Sequence, residues 1–491
     1  MDKWHEREEK MNEYKPTIGL EIHIQLDTKT KLFCGCSTQF GEKPNTHICP
    51  VCLGLPGALP VLNEKAIEYG IKLGLALNMK INKESTFYRK NYFYPDLPKG
   101  YQITQYTIPI ASEGFLEIKT EKGKKKISIQ RGHIEEDSGK SIHTDDITES
   151  TYSYIDFNRS GVPLMEIVTY PDIETAEEAY HFLVLLRKTV RYLGVSSGDM
   201  EKGALRCDVN VSLSKSNTMG TKVEIKNLNS FRSIRKALEY EIKRQTEMLK
   251  NGEKTVHETR HFDEKTGITK SMRTKEELND YRYFPEPDLP PLLLNETFIE
   301  DIKNSLPELP VQKEERFIKQ YSLSNTYAYE IASSNELADY FESIAKATGK
   351  PKEVANFLMG SIMKFLNETE KTISEIGFDK KKFIEFFSLL EKGIISKNIA
   401  KEIIAESLKT GKSPKKIVEE KGLIQITDEN KIKEIVKQVL RENSEAVSRY
   451  LAGKTQILGF LAGQVMKKTK GKANPQIANK LLTEALNKMK Q

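Results

Sequence analysis

The 491-residue chain has no run approaching the roughly 20 consecutive apolar residues that a membrane-spanning helix needs, so no membrane role is expected. Its first residues, Met1 to Lys15, are charged and contain no apolar core. That argues against a secretory signal and makes a cytoplasmic location the default. Phosphate-cradling glycine loops are missing as well. There is neither a Walker A motif nor a dinucleotide fingerprint, and Gly203 followed by Ala204 does not make one. Any nucleotide site must therefore be built from a sheet and metal ions. Internal repeats and low-complexity tracts are absent too. Cysteine is scarce, with five in the whole chain, and disulfides are not expected in a cytoplasmic protein.

What remains is an ordinary globular composition, 38% hydrophobic and 30% charged, in a chain long enough for about three domains. The net charge of +6 is unevenly spread. Beyond Ala446 stand nine basic residues (Arg449, Lys454, Lys467, Lys468, Lys470, Lys472, Lys480, Lys488 and Lys490) against one acid, Glu484. Such a tail suits a polyanion such as RNA, and equally a solvated lysine-rich helical surface.

From Pro16 to Pro291 the pattern is period-2 alternation with Gly, Pro and aromatics, which predicts an antiparallel β domain. Two helices interrupt it, near Ala176–Leu193 and Phe231–Lys250. The four prolines of the segment Phe284 to Pro291 exclude helix and central sheet and mark a boundary. Helical spacing dominates afterwards. Ser413-Pro414 opens a further helical module. The expected division is 1–291, 292–410 and 411–491.

Within the β part, Ile18 to Leu26 alternates strictly. Ile18, Leu20, Ile22, Ile24 and Leu26 point one way, and Gly19, Glu21, His23 and Gln25 the other. Arg206, Asp208 and Asn210 oppose Cys207, Val209 and Val211 in the same manner. Lys222, Glu224 and Lys226 oppose Val223 and Ile225. Glu166 sits inside an otherwise apolar strand, and the segment His133 to Asp137 is densely acidic. One such face is an ordinary wet side of a sheet. Several acids meeting on one concave face repel one another unless cations neutralise them, and Mg²⁺ is the natural answer. A histidine among them is compatible with Mg²⁺ or Mn²⁺. The basic residues Arg89, Lys90 and Lys99 lie in an aromatic-rich stretch, where contacts to phosphate or carboxylate and plain loop packing are both open readings.

Four cysteines cluster as Cys34-Gly-Cys36 and Cys49-Pro-Val-Cys52, the spacing of a structural zinc knuckle, with reactive thiols or an oxidised pair as the alternatives. Closed four-sulfur coordination leaves no position for chemistry. Cys207, on the apolar side of its strand, reads as core.

Taken together, the segments Ile18 to His23, Arg89 to Asp96, His133 to Lys140, Leu205 to Asn210, Glu224 to Ser230 and Asp280 to Pro287 resemble the B subunits of the heterotrimeric Asp/Glu-tRNA amidotransferases. Gly459 to Gln464 and Gly471 to Gln476 resemble the YqeY-type tail of that family. The resemblance runs from about Pro16 to the C-terminus. It implies an α+β fold: an antiparallel β cradle related to glutamine synthetase, a helical domain and a helical tRNA-binding tail. It implies ATP and Mg²⁺ as cofactors, and Glu21, His23, Glu136, Glu166, Asp208 and Glu224 as the matching metal positions. Glu136, Glu21 and His23 carry catalysis in that reading, and Glu135 is an adjacent alternative to Glu136. Some members of the family lack the zinc cysteines, whereas Cys34, Cys36, Cys49 and Cys52 are all present here. Arg89, Lys90, Arg206 and Lys226 are the expected phosphate or substrate contacts. Lys467, Lys468, Lys470 and Lys472 are the expected tRNA contacts.

The activity implied is amidation of misacylated Glu-tRNA(Gln) or Asp-tRNA(Asn). The chain has no Gly-rich Ser-Ser amidase motif, so ammonia must come from a partner; the resemblance implies that this is an amidase A subunit, with a small C subunit completing the assembly. Two other readings compete: a free-standing glutamine-synthetase-like ligase, and a non-catalytic zinc-containing RNA-binding subunit.

Overall fold

A computed structural model describes residues 13–142, 152–215, 218–274, 281–423, 428–469 and 472–490. The chain forms two compact units, Met1–Leu309 and Pro310–Gln491. The fold is α+β. All strands among the described residues lie in the first unit, and the second is helical. No helix among the described residues is long and apolar enough to cross a membrane.

The first unit is organised by a twelve-stranded sheet. In chain order its strands are β1 (Lys15–Gln25), β2 (Lys80–Ile81), β3 (Phe87–Asn91), β4 (Tyr101–Gln105), β5 (Ala111–Thr120), β6 (Gly123–Glu136), β7 (Pro163–Thr169), β8 (Leu205–Ser214), β9 (Val223–Lys226), β10 (Glu258–Asp263), β11 (Ile268–Thr274) and β12 (Phe284–Pro285). The spatial order is β11-β10-β9-β8-β1-β7-β6-β4-β3-β12, with β5 on β6 and β2 on β5. Pairing is antiparallel, as the alternation predicts, except that β9 and β10 run parallel. Parallel pairing needs a crossover, and the helix Phe231–Lys250 supplies it.

The alternation of β1 is realised in full. Ile18, Leu20, Ile22 and Ile24 are buried at 0–1% exposure, while Glu21 and His23 are half-buried on the other side. The dry face joins Val209 and Val211 of β8, Met165 and Ile167 of β7 and Ile134 of β6 in one core. The helices Glu64–Ala76, Ala176–Leu193 and Phe231–Lys250 add Ile67 and Ile71, Phe182 and Leu186, and Ile234 and Leu238 to that core. The last two helices have the bounds their apolar spacing predicts. Thr175 and Ser230 cap their N-termini through side-chain oxygens, and Gly194, at φ 65°, ends the first in a left-handed turn. Gly70 lets its helix lie directly on β6, where an added Cβ would stand 2.5 Å from Ile134 Cδ1.

The proline-rich segment is an edge, as its missing donors require. Phe284–Pro285 pairs with β3, and Leu292–Leu293 pairs with Glu84–Ser85. The first unit continues to Leu309 because Ile302 of the helix Glu296–Asn304 is buried in the same core, with Phe298 and Ile299 against it. In the second unit one apolar cluster runs from Phe317 to Val418 and another from Ile432 to Leu486. Ser413 caps the helix Pro414–Glu420, with Pro414 in its first turn, and Ile417 and Val418 of that helix belong to the first of these clusters.

Ile22 is at the centre of the first core. The exchange Ile22→Ala is expected to cost that unit about 2–5 kcal/mol. Urea titration of the wild-type and variant proteins measures the shift.

Candidate active site

Antiparallel register fixes which side chains of the wet face become neighbours. One cross-strand row carries Arg206, His23, Glu166 and His133. The next carries Asp208, Glu21, Val168 and Arg131. Beyond it stand Glu224, Asn210 and Gly19. On the other side of the first row, Glu135 of β6 lies opposite Leu164 of β7 and Thr104 of β4.

Five of these groups converge. His23 Nε2 lies 3.2 Å from Glu166 Oε2 and 3.4 Å from Glu135 Oε1. His133 Nε2 lies 3.4 Å from Glu135 Oε2 and 3.5 Å from Glu166 Oε2. Glu21, His23 and Glu166 bring their ligand atoms within 4.8 Å of one another, and so do His133, Glu135 and Glu166. Glu166 belongs to both sets. Thr104 Oγ1 donates to Glu135 Oε2 at 3.1 Å, and Arg131 Nη2 lies 3.7 Å from Glu166 Oε1.

Glu135, Glu166 and His133 are 3–6% exposed, so these charges have left water and depend on one another. Burial, followed by the charge of Glu166, holds the Glu21 carboxyl above the ordinary range. Burial acts to lower the His23 pKa, but the hydrogen bond to Glu166 and the charges of Glu135 and Glu166 outweigh it and raise it to about 9. Burial likewise opposes the Glu166 carboxylate, yet His133, His23 and Arg131 keep it well below the usual carboxylate range. Imidazolium and guanidinium thus balance the acids. His133 Nδ1, Arg131 Nε and Asn210 Oδ1 are buried nearby with no hydrogen-bond partner. Oxygen donors plus imidazole at this spacing fit a hard dication.

Asp208 and Glu224 stand one strand further out. Lys226 Nζ bonds Asp208 and lies 3.3 Å from Glu224, whose carboxylate also accepts from Thr259 Oγ1 at 2.8 Å. Arg206 Nη2 lies 2.9 Å from Asp137 Oδ1, so this arginine borders the cluster beside His23.

Other expected residues are elsewhere. Glu136 lies opposite Pro163 on the face away from Glu135. Its Oε1 accepts from Lys99 Nζ and from the Ile103 amide at 2.8 Å. There it lines a cavity of about 210 Å³ with Lys31, Cys34, Cys52 and Tyr101. The reason is parity: neighbouring residues of a strand face opposite ways, so Glu135 and Glu136 cannot share a site. The same parity, read through His133-Ile-Glu-Glu, selects His133 and Glu135 together, and it is the signal by which the sequence marks His133. Arg89 is held away as well. It grips Glu286 through two 2.8 Å hydrogen bonds, reaches Asp288 at 3.1 Å and lies over Tyr101. Lys90 lies over Tyr281, 5.0 Å from the ring centroid. Arg131 and Thr259 have no distinguishing pattern in the sequence.

The sulfurs of Cys34, Cys36, Cys49 and Cys52 lie within 4.8 Å of one another. The Cys34 hydrogen bond, aided by Cys49 and the Lys31 cation, outweighs burial and pulls Cys52 down to about 4. A thiolate-bearing four-sulfur set fits zinc. Cys207 is buried on the dry face, as expected. Lys467 and Lys468 are exposed, Lys468 being paired with Glu442, and Lys472 is half-buried. Lys470 lies outside the described residues.

Comparison with known proteins places the chain in a family. Residues 16–300 match the GatB/GatE catalytic domain, and residues 339–486 match the GatB domain. The chain is similar to the B subunit of the aspartyl/glutamyl-tRNA(Asn/Gln) amidotransferase of Thermodesulfovibrio yellowstonii, 53% identical over 96% of this chain and 99% of that one. It has the same identity and coverage with the Thermotoga maritima protein. With that of Caldanaerobacter subterraneus subsp. tengcongensis it is 53% identical over 97% of this chain and 100% of the other. Fold, site and matched domain define the catalytic chain of a carbon–nitrogen ligase. More particularly, the chain belongs to the family of aspartyl/glutamyl-tRNA(Asn/Gln) amidotransferase B subunits.

Glu135→Ala is expected to weaken Mg²⁺ binding by at least the roughly 10–100-fold typical of losing a partner at a metal site. Glu136→Ala, on the other face, is expected to leave it near wild type. Calorimetric titration with Mg²⁺, or with Mn²⁺ as probe, separates the two.

Proposed function

We propose that this chain uses ATP to activate the side-chain carboxylate of glutamate or aspartate misacylated onto tRNA, so that ammonia converts it to the amide. The observation that carries the reading is the convergence of Glu21, His23, Glu135, His133 and Glu166 into two ligand sets that share one carboxylate. We assign the catalytic centre to these residues, with Glu135 taking the place expected for Glu136, and Asp208 and Glu224 extending the acid surface.

A carboxylate is a poor electrophile, because its charge repels nucleophiles and its oxygen is a bad leaving group. Phosphorylation removes both obstacles. Mg²⁺ held by these acids, or Mn²⁺ in its place, would supply charge neutralisation and a template for the ATP phosphates. The protein's own share is positioning. Central strands hold the acids rigidly, with the Thr104 and Thr259 hydroxyls fixing Glu135 and Glu224. Arg206 and Arg131 flank the cluster on opposite sides and offer guanidinium groups to phosphate or to the substrate carboxylate. Lys226 adds an ammonium between Asp208 and Glu224. The carboxylate oxygen attacks the γ-phosphorus in line and ADP leaves. Ammonia then adds to the acyl phosphate carbonyl and phosphate departs, giving Gln-tRNA(Gln) or Asn-tRNA(Asn).

The four clustered cysteines are committed to one another, and Cys207 is core. Ammonia therefore comes from the amidase A subunit, with the small C subunit completing the heterotrimer. The relatives are named as the B subunit of such an enzyme. We read residues 1–291 as a cradle related to glutamine synthetase, 292–410 as a helical domain and 411–491 as a YqeY-like tail that grips tRNA. Three separate apolar clusters support a three-part reading, although the first cluster runs on to Leu309 and the second to Val418, so the parts meet later in the chain than 291 and 410; the exposed Lys467 and Lys468 support the role given to the tail.

In the reconstituted trimer, Glu166→Gln is expected to abolish ATP- and tRNA-dependent amidation while glutamine hydrolysis persists. Full amidation by that variant would place the centre elsewhere. Deleting residues 446–491 is expected to weaken tRNA binding far more than ATP hydrolysis and to flatten its salt dependence. Filter binding at several salt concentrations reads both, and unchanged affinity would refute the role given to the tail.

A further inference from the structure

Lys31 is one of the largest fully buried side chains in the protein, at 0% exposure. An isolated buried ammonium is costly, so its partners matter. All three of its N–H donors are used. Nζ donates to His47 O at 2.7 Å, to Phe157 O at 3.1 Å and to Cys52 Sγ at 3.6 Å. Its backbone amide donates to Cys36 O at 2.9 Å. Cys52 Sγ also accepts the Cys49 amide at 3.2 Å.

Four thiolates around a dication carry a net charge of −2, in a region where Cys52 is only 4% exposed. One ammonium against a sulfur halves that excess. We propose that Lys31 is the outer cation of the four-cysteine centre: it offsets the thiolate charge and fastens the centre to the turn Phe157–Gly161. Lys31 is thus a positioning residue that acts through the sulfurs.

The same turn is sewn to the knuckle from a second side. Asn45 Oδ1 accepts the Phe157 amide, Asn158 Oδ1 accepts the His47 amide and Asn158 Nδ2 donates to Lys43 O. One residue further along, Arg159 donates to Ser138 O and Gly139 O and lies 3.5 Å from Asp137, the partner of Arg206. Loss of the centre's charge balance therefore loosens a turn that adjoins the acid-rich face. Gly161 takes a left-handed φ of 86° in this turn, and a Cβ there would be in ordinary contact with Lys31 Cδ and Cys52 Cβ.

The test is zinc affinity, measured on the full chain by competition with a chromophoric chelator. Lys31→Met keeps the length of the stem and removes the charge. It is expected to weaken zinc binding about 10–100-fold, the range for outer-shell partners of metal ligands. A packing loss common to the metal-free and loaded forms cancels from that affinity, so the readout isolates the effect on the centre. Wild-type affinity in the variant would overturn the proposal. If the variant does not fold, the wild-type protein answers alone, by amine acylation mapped with mass spectrometry. Lys31 is expected to be protected in the zinc-loaded protein and to become reactive over the same zinc range in which Cys52 becomes open to alkylation. A Lys31 that stays protected after zinc is removed, while Cys52 alkylates, would show a core lysine unconnected to the metal.

Discussion

Buried like charges repel, and the first unit is arranged around managing that repulsion. Glu135 and Glu166 have left water, Glu166 within reach of Glu21; His23 and Arg131 supply opposing charge, and His133 Nε2 lies against both buried carboxylates. Such a cluster is a poor way to gain stability, because apolar residues of similar volume commonly do as well or better. Its presence on the central strands of the sheet, where backbone positions are most rigid, suits the proposed chemistry, which needs several carboxylates held still.

The dry face makes this tenable. Ile18, Leu20, Ile22 and Ile24 on β1, with their partners on β7 and β8, anchor the register against the helices behind. A one-residue slip would turn His23 into the core and Ile22 into the site, so the hydrophobic pattern also specifies the acid rows. Fold and function are set here by the same alternation, read from opposite sides of one sheet. Charge of a different kind is handled at the four-cysteine centre, where Lys31 Nζ is buried against Cys52 Sγ.

Much of this was legible in the chain itself. The alternation of Ile18 to Leu26 placed Glu21 and His23 on one face, and the structure keeps them there. The spacing of Cys34, Cys36, Cys49 and Cys52 announced a four-sulfur set, and their sulfurs meet. The helices at Ala176–Leu193 and Phe231–Lys250 followed from apolar spacing. At Glu136 two signals conflict. Resemblance favours it, whereas the strand puts Glu135 on the face with Glu166 and Glu136 on the other, because successive Cβ atoms of a strand point to opposite faces.

The sequence by itself determined the local rules: which residues alternate, where helices start and stop, which segment cannot hold central sheet and which cysteines pair in short motifs. These depend on neighbours within a few positions, so side-chain size and backbone sterics suffice. Only the tertiary structure decided that β1 lies between β7 and β8, that His133 joins His23 across Glu166, that Arg89 is held by Glu286, and that Lys31 is buried against Cys52. Those are contacts between residues 21 to 199 positions apart. They exist only once strand order and register are chosen, and that choice belongs to the burial of the whole dry face at once, which no local pattern contains.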